Sequence, residues 1–180
     1  MDFSGWEKLS LLDYDDHLST TLFMAGCDFR CPFCHNSSLV LDPKSAPIIK
    51  SADIMDYLKK RTGVLEAVVI TGGEPTLMPD LEDKIKDIKA LGYEVKLDTN
   101  GSHPEVVKNL VSKNLIDYLA MDIKNSPKKY PMTIGTTNVN MDKINETIDF
   151  LIHGSLRFEF RTTTIAEYHD EQDFEEIGQW

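Results

Sequence analysis

The chain has 180 residues, a mass of 20.4 kDa and a formal net charge of −11. This length suits one domain with a sizeable core, and the negative charge disfavours broad contact with nucleic-acid phosphate or anionic lipid. Because the N-terminus is acidic and no apolar run approaches the roughly 20 residues that span a bilayer, we expect a single cytoplasmic domain over residues 1–180, without nucleic-acid or membrane partners.

Short strands alternate with longer helices along the chain. Strands are predicted at 20–25, 66–71, 93–99, 116–123 and 155–164. Amphipathic helices are predicted in DLEDKIKDIKALG, HPEVVKNLVSKN and NMDKINETIDFLIH. Apolar strands separated by helices predict an α/β fold, in which a parallel sheet is joined by right-handed crossovers. In such sheets the chemistry lies on the loops that leave the carboxyl ends of the strands, and every unusual motif of this chain lies at such an end.

The three cysteines follow the first predicted strand, in the stretch AGCDFRCPFCHNS, at Cys27, Cys31 and Cys34. In a reducing compartment, an odd number of closely spaced cysteines is a poor disulfide framework but a reasonable metal site. A structural zinc site would need a fourth ligand such as His35. An iron–sulfur cubane held by three thiolates keeps one iron open for a substrate. The spacing favours such a cluster, and a zinc knuckle or inert buried cysteines are the alternatives.

The stretch GGEP follows the second predicted strand. Gly72 and Gly73 allow close approach of the backbone, and Pro75 fixes the exit into the next helix. Glu74 adds negative charge. This loop is therefore expected to bind a ligand that carries an ammonium group.

Charged residues also end the later strands. Asp98 lies in LDTNG, and Asp122 and Lys124 lie in MDIK. Carboxylates at such positions can also cap helices or pair with lysines. Arg161 lies on the last predicted strand, where a charged residue on an inner face needs a partner. A structural salt bridge is therefore as good an interpretation of Arg161 as ligand binding.

The motif C-x3-C-x2-C followed by His-Asn, with TGGEP one strand later, resembles the radical S-adenosylmethionine superfamily. More narrowly, the chain resembles the activating proteins of anaerobic ribonucleoside-triphosphate reductase, a branch of the glycyl-radical-enzyme activases. The stretches that carry this likeness are LLDYDDHLSTTLFMAGCDFRCPFCHNSSL, ITGGEPTLMPDL, KLDTNGSHPEVVKNL, YLAMDIK and EFRTT, spanning residues 11–164. Two departures are visible: Asp15 and Asp16 stand where Pro-Gly is expected, and Asp28 stands where Asn is usual.

The resemblance implies how a cofactor would be held. Cys27, Cys31 and Cys34 would bind three irons of a 4Fe-4S cluster, and the amino and carboxylate groups of S-adenosylmethionine would chelate the fourth. Phe33 would abut the adenine, and the matching aspartates would help to hold a monovalent cation. The implied cofactor-binding residues are Phe33, Gly72, Gly73, Glu74, Asp98, Asn100, Asp122, Lys124 and Arg161.

The resemblance also implies the reaction and the partners. The enzyme would cleave S-adenosylmethionine reductively and generate a glycyl radical on anaerobic ribonucleotide reductase or a related glycyl radical enzyme. Flavodoxin or ferredoxin would be the electron donor. Two other functions stay open: a radical S-adenosylmethionine enzyme acting on a small molecule or modified base, and a non-catalytic zinc or iron–sulfur module.

The end of the chain bears on the expected architecture. Similar proteins continue past the final helix into a sixth strand, whereas five strands are countable here. We therefore expect a partial (β/α)6-type barrel that lacks the sixth strand, with a truncated C-terminus and an exposed edge near residues 156–164.

Overall fold

The computed structural model describes residues 2–180 and contains one six-stranded sheet. The strands lie side by side in chain order: β1 (Gly5–Ser10), β2 (Ser19–Met24), β3 (Ala67–Gly72), β4 (Glu94–Thr99), β5 (Tyr118–Asp122) and β6 (Arg157–Arg161). From β2 to β6 all neighbours are parallel. These are the five predicted strands, so the predicted parallel α/β sheet is confirmed.

The sixth strand of the sheet lies at the N-terminal side and was not predicted. β1 runs antiparallel to β2, and most of its residues are exposed or only half-buried. Its sequence, GWEKLS, therefore lacks the apolar run or alternation that indicates a strand. Within residues 2–180 no strand follows β6, which pairs only with β5. The exposed edge expected near residues 156–164 is thus found at β6.

Helices connect the strands and cover one face of the sheet. They are α1 (Ser37–Leu41), α2 (Ser51–Arg61), α3 (Leu81–Ala90), α4 (Pro104–Ser112), α5 (Tyr130–Thr133), α6 (Met141–Ile152) and α7 (Glu171–Gln179). The three helices predicted from apolar periodicity are α3, α4 and α6. Val68, Ile70 and Leu97 point toward the helices and are fully buried in the main core. Burying each such side chain contributes about 1.5–3 kcal/mol. No helix in residues 2–180 has the length and apolar character to cross a bilayer.

The opposite face of the sheet, here called the inner face, carries three ion pairs that join β4 to β6 across β5. They are Glu94 with Arg157 (2.8 Å), Lys96 with Glu159 (2.9 Å) and Asp98 with Arg161 (3.2 Å). The sign of the charge alternates along each strand. Ala120 of β5 stands in register between Asp98 and Glu159, and its small side chain leaves room for the pairs to form. We call this set the ion-pair ladder.

The middle pair of the ladder is the most enclosed. Lys96 is 5% exposed, and its ammonium lies 5.7 Å and 5.2 Å from the ring centres of Tyr14 and Tyr118. The Tyr14 hydroxyl donates a hydrogen bond of 2.9 Å to Glu94. The residues before β2 therefore close the inner face at the amino ends of the strands, away from the loops that carry the predicted site.

Lys96→Glu should lower the free energy of unfolding by on the order of 3 kcal/mol, because it sets two carboxylates against each other in an enclosed position. The double variant Lys96→Glu/Glu159→Lys should recover part of that loss. Urea denaturation of the metal-free protein measures both effects. If the second substitution recovered nothing, the two side chains would not be energetically coupled.

Candidate active site

The loops at the carboxyl ends of β2 to β6 enclose a cavity of about 310 Å³. Parallel strands end at the same edge of a sheet, so motifs that lie far apart in the sequence meet there. Eleven of the twelve predicted site residues line the cavity: Cys27, Cys31, Phe33, Cys34, Gly72, Gly73, Asp98, Asn100, Asp122, Lys124 and Arg161. Only Glu74, among those twelve, does not.

The cysteine loop leaves β2 through a left-handed residue and is tied to two distant segments. Gly26 has φ +88°, a conformation that glycine adopts without steric cost. Its amide donates to the Leu39 carbonyl (2.9 Å), and the Arg30 amide donates to the Ile134 carbonyl (2.8 Å). The loop therefore has a defined path between α1 and the residues that follow α5.

The three thiols are free and half-buried, and all of them line this cavity. Within residues 2–180, no three His, Cys, Asp or Glu side chains lie close enough together to share a single metal ion. In an iron–sulfur cubane each thiolate binds a different iron atom, so the sulfurs must be spread around one space. The three cysteines meet this requirement, because all of them line this cavity.

Burial controls the ionisation of the thiols. It raises the pKa of the Cys27 thiol to about 12 and also raises the pKa of Cys31. Both thiols are therefore protonated at neutral pH in the metal-free protein. Because metals bind the thiolate, loading of this loop must release protons.

Charged side chains from β4, β5 and β6, and from the loop after β5, also line the cavity. Arg161 lies 3.2 Å from Asp98 and 3.3 Å from Asp122, and Lys124 lies 2.8 Å from the other Asp122 oxygen. Burial raises the pKa of Asp98, while Arg161 and a hydrogen bond from the Thr71 side chain act in the opposite direction. The Oδ1 atom of Asp98 is buried and has no hydrogen-bond partner among the described residues. An orphaned buried acceptor on a cavity wall fits a ligand that supplies a donor or a cation.

Glu74 lies beneath the cavity. Its side chain is fully buried, and its oxygens accept hydrogen bonds from the Thr76 amide and hydroxyl, the Thr99 hydroxyl (2.8 Å) and the Asn100 amide (2.7 Å). Burial raises the pKa of Glu74 to about 7, while these hydrogen bonds act in the opposite direction. The sequence predicts that this charge meets a ligand directly; in the structure the carboxylate points into the protein and does not line the cavity.

The two glycines of GGEP are required by a close backbone approach. A Cβ at Gly73 would overlap the carbonyl of Gly26, and one at Gly72 would overlap the backbone of Met24. The Gly73 amide donates to the Met24 carbonyl (2.9 Å), and the Glu74 amide donates to the Gly26 carbonyl (2.8 Å). The loop after β3 is thus joined to the cysteine loop, in addition to lining the cavity.

Sequence reasoning missed part of the cavity wall. The residues it missed include Phe29, Asn36, Val40, Thr71, Thr162 and Thr163. Asn36 donates a hydrogen bond of 2.9 Å to the Gly72 carbonyl and so links the cysteine loop to the loop after β3. Its place directly after the cysteine motif was the only signal. The Phe33 ring lies 5.7 Å from the Tyr168 ring, a contact for which the sequence offered no signal.

Fold and site together define a class: partial α/β barrels that carry a three-cysteine iron–sulfur loop after the first parallel strand. The model of the Radical SAM superfamily matches residues 21–180. The chain belongs to the radical S-adenosylmethionine superfamily and is a radical S-adenosylmethionine enzyme. Membership implies a 4Fe-4S cluster and S-adenosylmethionine as cofactors.

Curated relatives include two proteins of Methanocaldococcus jannaschii that bear the provisional name glycyl-radical enzyme activating enzyme. One is 36% identical and aligns with 97% of this chain and 73% of its own length. The other is 27% identical and aligns with 89% of this chain and 61% of its own length. The 7-carboxy-7-deazaguanine synthase of Thermococcus kodakarensis is 27% identical over 58% of this chain and 48% of its own.

Solved structures share the fold. Native anSMEcpe with bound AdoMet has a TM-score of 0.65 at 16% identity, over 86% of this chain and 46% of that chain. Streptococcus suis SuiB bound to its precursor peptide SuiA has a TM-score of 0.62 at 16% identity, over 86% of this chain and 34% of that chain. At these identities the likeness shows the radical S-adenosylmethionine barrel fold alone.

Proposed function

We propose that this chain is a glycyl-radical-enzyme activase. The observation that carries the proposal is the likeness, over 97% of the chain, to a relative whose name assigns that activity. We infer that its substrate is anaerobic ribonucleotide reductase or a related glycyl radical enzyme, and that flavodoxin or ferredoxin donates the electron.

In this proposal Cys27, Cys31 and Cys34 hold the cluster. When bound and reduced, the cluster supplies the electron that splits S-adenosylmethionine into methionine and a 5′-deoxyadenosyl radical. The chain's own part is to bind and orient the cofactor and to exclude competing reactions. Lys124 and Arg161 provide positive charge for the methionine carboxylate, and Phe33 provides an apolar surface for the adenine.

The aspartates have a separate role in this proposal. Asp98 and Asp122 together hold a monovalent cation next to the methionine carboxylate, for which the orphaned Asp98 Oδ1 is a suitable ligand. Gly72 and Gly73 also line the cavity. The cation would offset the negative charge that accumulates where a carboxylate ligand meets two acidic side chains.

An open sheet supports a protein substrate. β1 and β6 are both edge strands in the part of the chain described, so the sheet does not close on itself. A loop of a second protein can then enter from the side and bring a glycine Cα to the cavity. No cysteine follows Cys34 in this sequence to hold an additional cluster near a small substrate.

The second candidate function is action on a small molecule or modified base. The likeness to 7-carboxy-7-deazaguanine synthase favours it, but that likeness extends over 58% of this chain. The activase-named relative aligns with nearly the whole chain. We therefore place the protein substrate first.

Electron paramagnetic resonance distinguishes activation of a glycyl radical enzyme from action on a small molecule. Reduced, cluster-loaded protein mixed with S-adenosylmethionine and an anaerobic ribonucleotide reductase from the same organism should yield a glycyl doublet on the reductase. The Cys31→Ala variant should yield none, because it cannot hold the cluster. Cofactor cleavage without a radical on that or any other glycyl radical enzyme would refute the activase function and favour the small-molecule reaction.

A further inference from the structure

We propose that Glu74 is a positioning residue, which holds Thr99 and Asn100 at the cavity from beneath and does not contact the cofactor. The part that concerns cofactor binding rests on the proposed function, whereas the part that concerns the loops does not. The proposal differs from the direct ligand role that the negative charge in GGEP suggests.

Four hydrogen bonds hold the Glu74 carboxylate. Oε1 accepts from the Thr76 amide and hydroxyl and from the Thr99 hydroxyl, and Oε2 accepts from the Asn100 amide. Its side chain is fully buried and does not line the cavity. Neither oxygen is therefore exposed at the cavity wall, where an ammonium group of a ligand would lie.

These hydrogen bonds hold Thr99 and Asn100 in place. The Thr99 hydroxyl that donates to Glu74 also accepts a bond of 3.1 Å from the Gly101 amide. Asn100, held through its amide, directs its side chain to the cysteine loop, where Nδ2 donates to Asp28 (2.8 Å) and lies 3.8 Å from Cys27 Sγ. Glu74 thereby sets the backbone from which Asn100 reaches the cysteine loop.

The main chain of Glu74 also attaches the loop after β3 to the cysteine loop. The Glu74 amide donates a hydrogen bond of 2.8 Å to the Gly26 carbonyl, at the start of the cysteine loop. One residue therefore ties the carboxyl ends of β2, β3 and β4 together, its main chain joining β3 to β2 and its side chain joining β3 to β4. These strand ends carry the cysteines, the two glycines and Asn100, so their spacing depends on Glu74.

Amide hydrogen exchange in the metal-free protein tests the positioning directly. In Glu74→Gln the NH2 group replaces one carboxylate oxygen, so it faces either the Asn100 amide or the Thr76 amide, donor against donor. Exchange at one of these two backbone amides should therefore accelerate at least about tenfold. The matched control is Glu66→Gln, since Glu66 also accepts a backbone bond, from the Leu18 amide (2.8 Å), but at the other end of the sheet. Unchanged exchange at both the Asn100 and the Thr76 amide in Glu74→Gln would overturn the proposal.

Ligand binding separates a positioning role from a ligand role. Cluster-loaded wild type and Glu74→Gln are titrated with S-adenosylhomocysteine and with its analogue that lacks the α-amino group. If Glu74 is a positioning residue, Glu74→Gln should weaken the binding of both ligands by the same factor, about tenfold. A loss confined to the amino-bearing ligand would mean that Glu74 binds the ammonium and would overturn the proposal. Wild type that bound neither ligand would instead refute the assignment of the cavity to this cofactor.

Thr99→Val provides a second variant if Glu74→Gln folds poorly. It removes the hydroxyl that donates to Glu74 but keeps nearly the same side-chain volume, and it should weaken the binding of both ligands equally. In the double variant with Glu74→Gln, the loss should be smaller than the product of the single losses, because the two substitutions break one network. Strictly independent losses would overturn the claim that Glu74 acts through Thr99.

Discussion

Cys31→Ala should abolish cluster assembly and, with it, cleavage of S-adenosylmethionine. The cubane would keep two protein ligands instead of three, so iron and sulfide retained after anaerobic reconstitution should fall at least about tenfold. Cys27→Ala and Cys34→Ala should behave alike, because all three thiols line the same cavity. Elemental analysis, the visible absorption spectrum and release of 5′-deoxyadenosine measure the loss.

His35→Ala is the control for this experiment. His35 is adjacent to Cys34 and lines the cavity, but a cluster with three cysteine ligands does not need it. The variant should keep its iron. A colourless protein that held one zinc ion, and lost it equally in His35→Ala and Cys31→Ala, would support the zinc site and contradict the enzyme.

Gly73→Ala should lower the stability of the fold and prevent tight cofactor binding. The added Cβ would overlap the Gly26 carbonyl, so the loop after β3 and the cysteine loop must move apart. This should cost on the order of 3 kcal/mol of folding stability and should prevent tight cofactor binding, because both loops line the cavity. Thermal unfolding of the metal-free protein and cofactor titration of the loaded protein measure the two consequences.

Gly178→Ala is the matched control. Gly178 lies in α7, and a Cβ built there meets no atom within 4 Å. Alanine is the better helix former by about 1 kcal/mol, so this variant should be as stable as wild type or slightly more so. If both glycine variants lost stability equally, the argument from close approach at Gly73 would be wrong.

The parts of the site that sequence reasoning located are those set by topology. Cys27, Gly72, Asp98 and Asp122 each end a parallel strand or follow one closely, and parallel strands place such positions together whatever the details of packing. The direction of a side chain is a different matter. The sequence of GGEP reveals the charge of Glu74, but only the packed loops reveal that Thr76, Thr99 and Asn100 enclose it.

Arg161 shows a second limit of what the sequence alone can reveal. From the sequence, a structural salt bridge and a role in ligand binding are equally good interpretations. In the structure the guanidinium both pairs with Asp98 and Asp122 and lines the cavity. The two interpretations are compatible because an arginine has several donors in a planar fork and can divide them between partners. The sequence does not reveal how those donors are divided.

The ion-pair ladder also determines how the edge strand aligns with its neighbours. Sliding β6 by one residue would turn Phe158 to the inner face, which the apolar pattern forbids. Sliding it by two residues would keep every side chain on its proper face, so hydrophobicity alone does not prevent that error. Such a slip would set Glu94 against Glu159 and Lys96 against Arg161, like charge against like charge. The alternating signs therefore encode a single alignment for a strand that, within residues 2–180, has a neighbour on one side only, and they keep Arg161 at the level of the cavity.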